Sequence, residues 1–279
     1  PALSRPTVLL YVITHFCAAV AHGALIVLCR CPIMGLMSQY AQRWGFRDCW
    51  ERQAQRRGAA AVFLGILWGF LSVRSLAAAL HQDALLVALE SVVAVAMSGG
   101  VLLFVVLLAM VVDFCGLAVD AFAAEVLAAR EVGGLVATFN VMSCVLRRAG
   151  YFLELPLLVT TQVTVVVAAI AAAIVLDSDS EATVMDKMMV AWVVAWLCLL
   201  VWLLNAAASV NVKVGRLPAL VAAVDFGQQI DQDKGFVIAN MSTGDAGLKV
   251  YNVRIDRVAI VKAVYYAVAC AAAFLPKFI

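Results

Sequence analysis

The chain has 279 residues, of which 65% are hydrophobic and 14% are charged, and its formal net charge is +2. Soluble domains average ~45–50% apolar and ~25% charged residues. This composition, with a mean hydropathy of +1.01, excludes a soluble enzyme, a disordered chain and a disulfide-rich secreted domain as first interpretations. The small net charge gives no indication of nucleic acid binding, so an integral membrane protein in contact with the lipid bilayer is predicted.

Six stretches are long and apolar enough to cross a bilayer as helices, which requires ~20 mostly apolar residues. Unbroken apolar runs of this kind favour helices over the alternating segments of a membrane β-barrel. The predicted fold class is therefore all-α, with residues 1–279 forming one polytopic helical membrane domain. The predicted spans cover residues 7–29, 59–80, 84–112, 154–176, 188–210 and 258–275.

Basic residues are distributed unequally between the two sides that these spans define. The connections after the first, third and fifth spans hold 15 of the 20 Lys and Arg residues. Because cytoplasmic loops carry an excess of Lys and Arg, we expect these long connections to be cytoplasmic and both ends of the sequence to be extracytoplasmic, in the plasma membrane. The sequence begins at Pro1 rather than Met, which favours an upstream helix and a seven-span fold. A complete six-span protein is the alternative.

The predicted cytoplasmic side has helices of its own. Residues 113–129 continue the helical periodicity of the third span, and residues 135–153 predict a helix that leads into the fourth. Residues 216–232 predict a short amphipathic helix. The helical layer as a whole covers about 113–153 and 213–257.

Polar and aromatic side chains occur in the outer halves of the spans. Arg74 and Glu90 lie eight residues before and after the external turn at Gln82, so each is ~12 Å below that turn. Pairing would offset part of the ~2.5–3.5 kcal/mol cost of a charge in the bilayer, either as a structural salt bridge or as a ligand contact. Aromatic walls with a few polar groups are typical of small-molecule pockets, although an aromatic belt and hydrogen bonding between helices are the alternatives. The candidate ligand-binding residues are Tyr11, His15, Arg74, Glu90, Met97, Trp192 and Trp196.

Polar residues also occur at the inner end of the fifth span, at Asn205, Ser209 and Asn211. Side chains of this kind in membrane helices usually form hydrogen bonds that hold helices together. We therefore expect these three residues to contribute to packing.

Motifs of soluble enzymes are absent. The sequence contains no HExxH, GxSxG, Walker or dinucleotide-binding motif. The eight cysteines lack the spacing of zinc ligands. We expect no enzyme activity, no cofactor and no metal site.

The stretch before the last span carries the most specific pattern. Residues 247–257 read GLKVYNVRIDR, which is a glycine, an aliphatic–aromatic run and a hydrophobic-Asp-Arg triplet directly before the final helix. This pattern resembles the last segment of the gustatory-receptor-like proteins of plants and algae, which are related to the insect gustatory and odorant receptors. The span order and the sidedness are similar to that superfamily over nearly the whole chain, and the motif-level similarity covers about 247–275.

The resemblance implies a homotetramer whose last helices line a central cation pore, with a small-molecule pocket in the outer half of the membrane. The pore-lining residues implied for this chain are Lys262, Tyr266 and Cys270. Insect receptors have a Gln-Phe pair in this helix, and Ala272-Ala273 stands at the matching positions. The missing glutamine favours an alternative, a non-conducting membrane receptor or scaffold with the same fold. A small-molecule carrier is a third hypothesis, for which no internal repeat is visible.

Overall fold

The computed structural model describes residues 33–79, 84–129, 133–176, 184–226, 231–243, 246–250, 253–262 and 265. Within these ranges the side chains of 33, 67–79, 84–101, 133, 158–159, 162–176, 184–193, 231–232 and 250 are not described. Helices account for 90% of the described residues, in agreement with the helical fold class predicted from the long apolar runs.

Long helices dominate the order of elements. They are α1 (Ile33–Arg43), α2 (Arg47–Ala79), α3 (Ala84–Ala128), α4 (Gly133–Leu176), α5 (Val184–Ala223) and α6 (Asp231–Thr243), followed by strands β1 (Lys249–Val250) and β2 (Val253–Arg254). A last helix, α7, covers 257–262, and Tyr265 is also helical. The two strands pair antiparallel, with Lys249 opposite Arg254. This hairpin is an exception to the predicted all-α fold.

Three helices are longer than a membrane is thick. α3, α4 and α5 contain 45, 44 and 40 residues. At ~1.5 Å per residue they are ~60–68 Å long, whereas a bilayer with its headgroups is ~40–45 Å thick. The predicted helical continuity beyond residue 112, and from 135–153 into the fourth span, is confirmed.

The amphipathic helix predicted over 216–232 is wrong in its bounds. α5 continues through Pro218 to Ala223, and α6 begins only at Asp231. Leu217 and Val221 are buried on either side of the proline. Their packing outweighs the tendency of proline to interrupt a helix or to begin a new one.

The hydrophobic core lies between one half of α3 and its neighbours. It consists mainly of residues 104–126 of α3, 135–157 of α4 and 203–221 of α5, with further side chains from α1 and α6. α3 packs against α2, α4 and α5, so it is the central helix of the described fold.

An aromatic cluster fixes the corner between α1 and α2 onto α3. The ring of Phe114, which is fully buried, lies 5.9, 5.6 and 5.4 Å from the ring centroids of Tyr40, Phe46 and Trp50. The Trp50 indole N–H donates to the backbone carbonyl of Met110 at 3.1 Å. Burial, and to a smaller degree the charge of Glu125, raises the pKa of Tyr40 above its ordinary value.

The exposed side chains change character along α2. Before Arg57 the exposed side chains are mostly polar or charged. After Arg57 the large exposed side chains are apolar. The exposed charged residues are Glu51, Arg52 and Arg56, and the exposed apolar residues are Val62, Phe63, Leu64 and Ile66.

The same change occurs on two other helices. On α4, exposed Arg147 and Arg148 are followed by exposed Leu155, with Val141 before them as an apolar exception. On α5, exposed Val194 and Val201 precede Trp202. After Trp202 the exposed residues include Asn205, Ser209 and Arg216, with Val212 as an apolar exception. We call this level, marked by Arg57 on α2 and Trp202 on α5, the polarity boundary.

Two helical segments within the described residues are long and apolar enough to cross a membrane. They are Leu102–Ala128, in which an 18-residue stretch has a mean hydropathy of 2.8, and Val194–Ala223, in which an 18-residue stretch has a mean hydropathy of 1.8. These segments overlap the third and fifth predicted spans. The full set of six spans, and the seven-span fold, stay predictions.

Replacing Phe114 with alanine should destabilise the protein by ~3–5 kcal/mol, because a buried ring is lost and a cavity is left. The matched control is Phe63→Ala on α2, where the ring is 66% exposed and leaves no internal cavity. Thermal unfolding of both variants in the same detergent provides the comparison. Equal melting temperatures for the two variants would contradict the described position of α3.

Candidate functional site

One buried side chain holds the segment between α6 and α7 against α5. Asn211 on α5 is only 3% exposed. Its side-chain amide donates to the carbonyl oxygens of Leu248 at 2.9 Å and Ile255 at 2.7 Å. Its Oδ1 accepts the N–H of Leu248 at 2.7 Å. A single side chain thus satisfies three backbone groups at the two ends of the hairpin.

A second contact runs in the opposite direction. The Arg254 guanidinium donates to the backbone carbonyl of Asn211 at 2.8 Å, and the Ile255 N–H donates to the Leu248 carbonyl at 3.3 Å. Leu248 and Ile255 are themselves buried, so their polar groups need partners within the protein. We call Asn211, Leu248, Arg254 and Ile255 the hairpin anchor.

Two glycines permit this close packing. Gly247 has φ +138°, and a Cβ there would lie 2.6 Å from the Asn211 Oδ1. On α4, a Cβ at Gly150 would lie 2.8 Å from the carbonyl oxygen of Lys249. Any larger residue at either position would push the hairpin away from its helix, because atoms cannot approach this closely without a shift.

α7 begins where the hairpin ends. The Asp256 Oδ1 accepts the N–H of Ala259 at 2.6 Å, which is the usual N-cap contact at the start of a helix. The starting point of α7 is therefore fixed relative to α5 by a short chain of hydrogen bonds. This arrangement accounts for Gly247 and Asp256 in the GLKVYNVRIDR pattern.

An ion pair at the polarity boundary joins three helices. Arg57 Nη2 on α2 lies 2.6 Å from Asp113 Oδ1 on α3, with side-chain exposures of 29% and 15%. The Arg57 guanidinium also lies 4.8 Å from the centre of the Trp202 ring on α5. The second oxygen of Asp113 and Nη1 of Arg57 are buried and have no hydrogen-bond partner among the described residues. The pair therefore combines a direct salt bridge with a cation–π contact.

A groove opens between α5 and α7, next to this ion pair. Its volume is about 590 Å³. Its lining includes Leu197, Val201, Trp202 and Asn205 from α5, and Arg257 and Val261 from α7. Most of these side chains are apolar. The polar ones are Asn205 and Arg257, and they are the lining residues nearest in sequence to the hairpin anchor.

The predicted ligand-binding residues are only partly within the described structure. Tyr11 and His15 lie outside the described residues. Trp196 lies on α5 and packs against the hydrophobic core, so its ring is at least partly structural. The other four residues lie on helices whose backbone is described but whose side chains at these positions are not: Arg74, Glu90, Met97 and Trp192. The Arg74–Glu90 pairing and the ligand contacts of all four stay predictions.

Of the predicted pore-lining residues, only Lys262 is described. It is exposed on α7. Tyr266 and Cys270 lie outside the described residues. Among the described residues, no group of three or more His, Cys, Asp or Glu side chains is arranged to hold a metal ion.

The three polar residues at the inner end of α5 differ in their contacts. Asn211 forms hydrogen bonds beyond its own helix, as predicted, but with a hairpin rather than with another helix. Ser209 donates to the Ala206 carbonyl of its own helix at 2.6 Å. Sequence patterns missed the hairpin because two-residue strands are too short to show the alternation that predicts a strand.

No protein-family model and no curated protein sequence matches the chain. The hairpin anchor, the ion pair and the groove are therefore the features from which a function can be inferred.

Replacing Asn211 with leucine should loosen the hairpin while leaving α5 intact. The change leaves the Leu248 N–H and the Ile255 carbonyl unpaired, while the Leu248 carbonyl keeps the Ile255 N–H, and each unpaired group costs ~1–3 kcal/mol. We expect faster amide hydrogen exchange in the peptide that covers 246–256. Ser209→Ala on the same helix is the control, and it should leave that exchange unchanged. Unchanged protection in Asn211→Leu would show that the anchor does not hold the hairpin.

The Arg57–Asp113 pair should show strong coupling in a double-mutant cycle of Arg57→Met and Asp113→Leu. Each single variant leaves a partly buried charge without its partner, whereas the double variant leaves none. We expect a coupling energy above ~1 kcal/mol, the upper end for surface pairs. The exposed pair Lys213–Asp120, with its atoms 2.6 Å apart, is the control and should couple by less. The cycles are measured by chemical unfolding in detergent, and equal coupling in both would contradict the special position of Arg57.

Proposed function

We propose that this chain is an integral membrane protein of the gustatory-receptor-like type that acts as a ligand-gated ion channel. Four copies would assemble around an axis lined by α7, with a small-molecule pocket in the outer half of the membrane. The hairpin anchor carries the proposal. The segment that resembles the receptor superfamily forms a short, firmly held connection that ends where the proposed pore helix begins.

The exposed side chains support a membrane position. Beyond the polarity boundary, α2 exposes Val62, Phe63, Leu64 and Ile66 in close succession. Nearly consecutive residues point in different directions around a helix, so this part of α2 needs an apolar surrounding on several sides. Trp202 and Tyr151 are both exposed and lie near the polarity boundary. Trp and Tyr are enriched at membrane–water interfaces, so their position supports a membrane interface at this level.

The long helices provide a physical route for gating. α5 passes from the proposed ligand side to the hairpin anchor, and the anchor sets the start of α7. A ligand that binds differently to two positions of α5 would shift the equilibrium between two positions of α7. The anchored end would act as the pivot, because its buried hydrogen bonds resist separation.

A second candidate function is a non-conducting receptor or scaffold with the same fold. Lys262 favours it, because this side chain is exposed on α7 and a ring of lysines would repel cations in a narrow pore. In that case the helical layer on the polar side of the boundary would bind a cytoplasmic partner.

Single-particle imaging of the full-length protein in nanodiscs separates the two functions. A fourfold ring with α7 at its axis would support the channel. A monomer, or a dimer in which α7 is buried within one subunit, would exclude a shared pore and favour the receptor or scaffold.

If α7 lines a pore, Lys262→Glu should shift the reversal potential of ion flux towards that of a cation-selective channel. The sign follows from replacing a positive ring by a negative ring at the same depth. Lys262→Arg keeps the charge and is the control. Planar-bilayer recordings under a salt gradient provide the measurement. A conducting protein whose reversal potential is the same in both variants would place Lys262 away from the pore.

A further inference from the structure

We propose that the groove between α5 and α7 binds one anionic phospholipid from the leaflet on the hairpin side of the membrane. The phosphate would lie at Arg257 and Asn205, and an acyl chain would lie along Leu197 and Val201. The inference rests on the membrane position proposed above but not on ion conduction.

The groove has a polar end and an apolar end. α5 runs into the hairpin anchor at Asn211, and α7 starts directly after it, so the groove begins beside the anchor. Asn205 and Arg257 are the lining residues nearest to the anchor in sequence, and Leu197 is the most distant on α5. From Leu197 to Asn205 the helix rises ~12 Å. The groove thus has the polarity of a lipid, with a charged head and an apolar tail.

The groove also crosses the polarity boundary. Trp202, which marks the boundary on α5, lies in its lining. The lining residues on one side of Trp202 include Leu197 and Val201, and Asn205 lies on the other side. A lipid in the groove would therefore have its headgroup at the level where exposed apolar side chains give way to polar ones, as a lipid of the surrounding bilayer does.

The side chains at the polar end have no hydrogen-bond or ion-pair partner within the described part of the chain. Neither the guanidinium of Arg257 nor the amide of Asn205 has a hydrogen bond or ion pair with any other described residue. The neighbouring carboxylate, Asp256, already accepts the Ala259 N–H. Arg57 adds a second positive charge 4.8 Å from the centre of the Trp202 ring, although Asp113 offsets it. A phosphate group satisfies an unpaired arginine with charge-assisted hydrogen bonds.

The volume of the groove, about 590 Å³, lies within the ~300–1,000 Å³ range of small-molecule sites. Its lining combines aliphatic side chains and an indole ring with one cation and one amide. Basic pockets between membrane helices on the cytoplasmic side are typical binding sites for anionic lipid headgroups. A zwitterionic lipid would fill the same volume without a net charge for Arg257.

The test measures retained lipid by native mass spectrometry of the full chain in detergent, after titration with phosphatidylglycerol or phosphatidylcholine. We expect one phosphatidylglycerol to be retained in preference to phosphatidylcholine. Arg257→Gln should weaken this binding about fivefold, the effect of ~1 kcal/mol for one basic residue at a membrane surface. Arg257→Lys should keep the preference. Arg216→Gln, an exposed arginine on α5 outside the groove, is the matched control and should change nothing.

A second variant tests the apolar end independently of charge. Val201→Trp fills the groove and should reduce retention of phosphatidylglycerol, while its melting temperature shows that the protein is folded. Equal losses in Arg257→Gln and Arg216→Gln would indicate lipid held by general charge, and would overturn the proposal. Retention of oleate but not phosphatidylglycerol would assign the groove to a free fatty acid. A lipid-free dimer that Val201→Trp abolishes would assign it to a second copy. Either result would also overturn the proposal.

These outcomes are distinct from a failure of the proposed function. A protein that retains phosphatidylglycerol in the groove but shows no ion flux contradicts the channel and supports the lipid site. A protein that conducts ions and shows no preference between the two lipids contradicts the lipid site alone.

Discussion

The side-chain amide of Asn211 joins α5 to the hairpin between α6 and α7. Its partners are the backbone groups of Leu248 and Ile255, which lie 37 and 44 residues further along the chain. These partners are buried, so no solvent water replaces the bonds if the amide is lost. The hairpin can lie close to α4 and α5 only because Gly150 and Gly247 leave room for it. The start of α7 follows from this arrangement, and so do the groove beside it and any function that depends on where α7 lies.

The apolar character of the long helices has two different physical origins. In Leu102–Ala128 most of the apolar side chains are buried against other helices, with 61% of the most apolar window inside the protein. In Val62–Ile66 of α2 the apolar side chains are mostly exposed. Burial in a protein core and contact with lipid favour the same residue types, and only the packing of neighbouring helices separates the two. The packing of the described helices therefore assigns the apolar side chains of Leu102–Ala128 mainly to the core and those of Val62–Ile66 mainly to the surface.

Charge has a different role at the polarity boundary than in the helical layer. The Lys213–Asp120 pair is about half exposed, and pairs of this kind contribute little to stability. The Arg57–Asp113 pair is largely buried and meets an indole ring, so the loss of one partner leaves a charge that water solvates poorly. The same boundary holds Trp202 and one end of the groove. Arg57, Asp113 and Trp202 therefore hold three helices together at the polarity boundary, and Trp202 also lines the proposed lipid site.

The sequence by itself determined the helical class, because runs of ~20 apolar residues leave few other ways to satisfy the backbone. It also determined that α3 and α4 extend beyond the spans predicted for them, because their helical periodicity does not stop there. It could not show the end of α5, since Leu217 and Val221 keep the helix intact across Pro218 only through contacts with distant residues. Only the tertiary structure decided that Asn211 bonds a hairpin, that Arg57 meets Asp113 and Trp202, and that Asn205 and Arg257 share a groove. Each of these pairs lies far apart in the chain, and local patterns carry no information about which distant groups will meet.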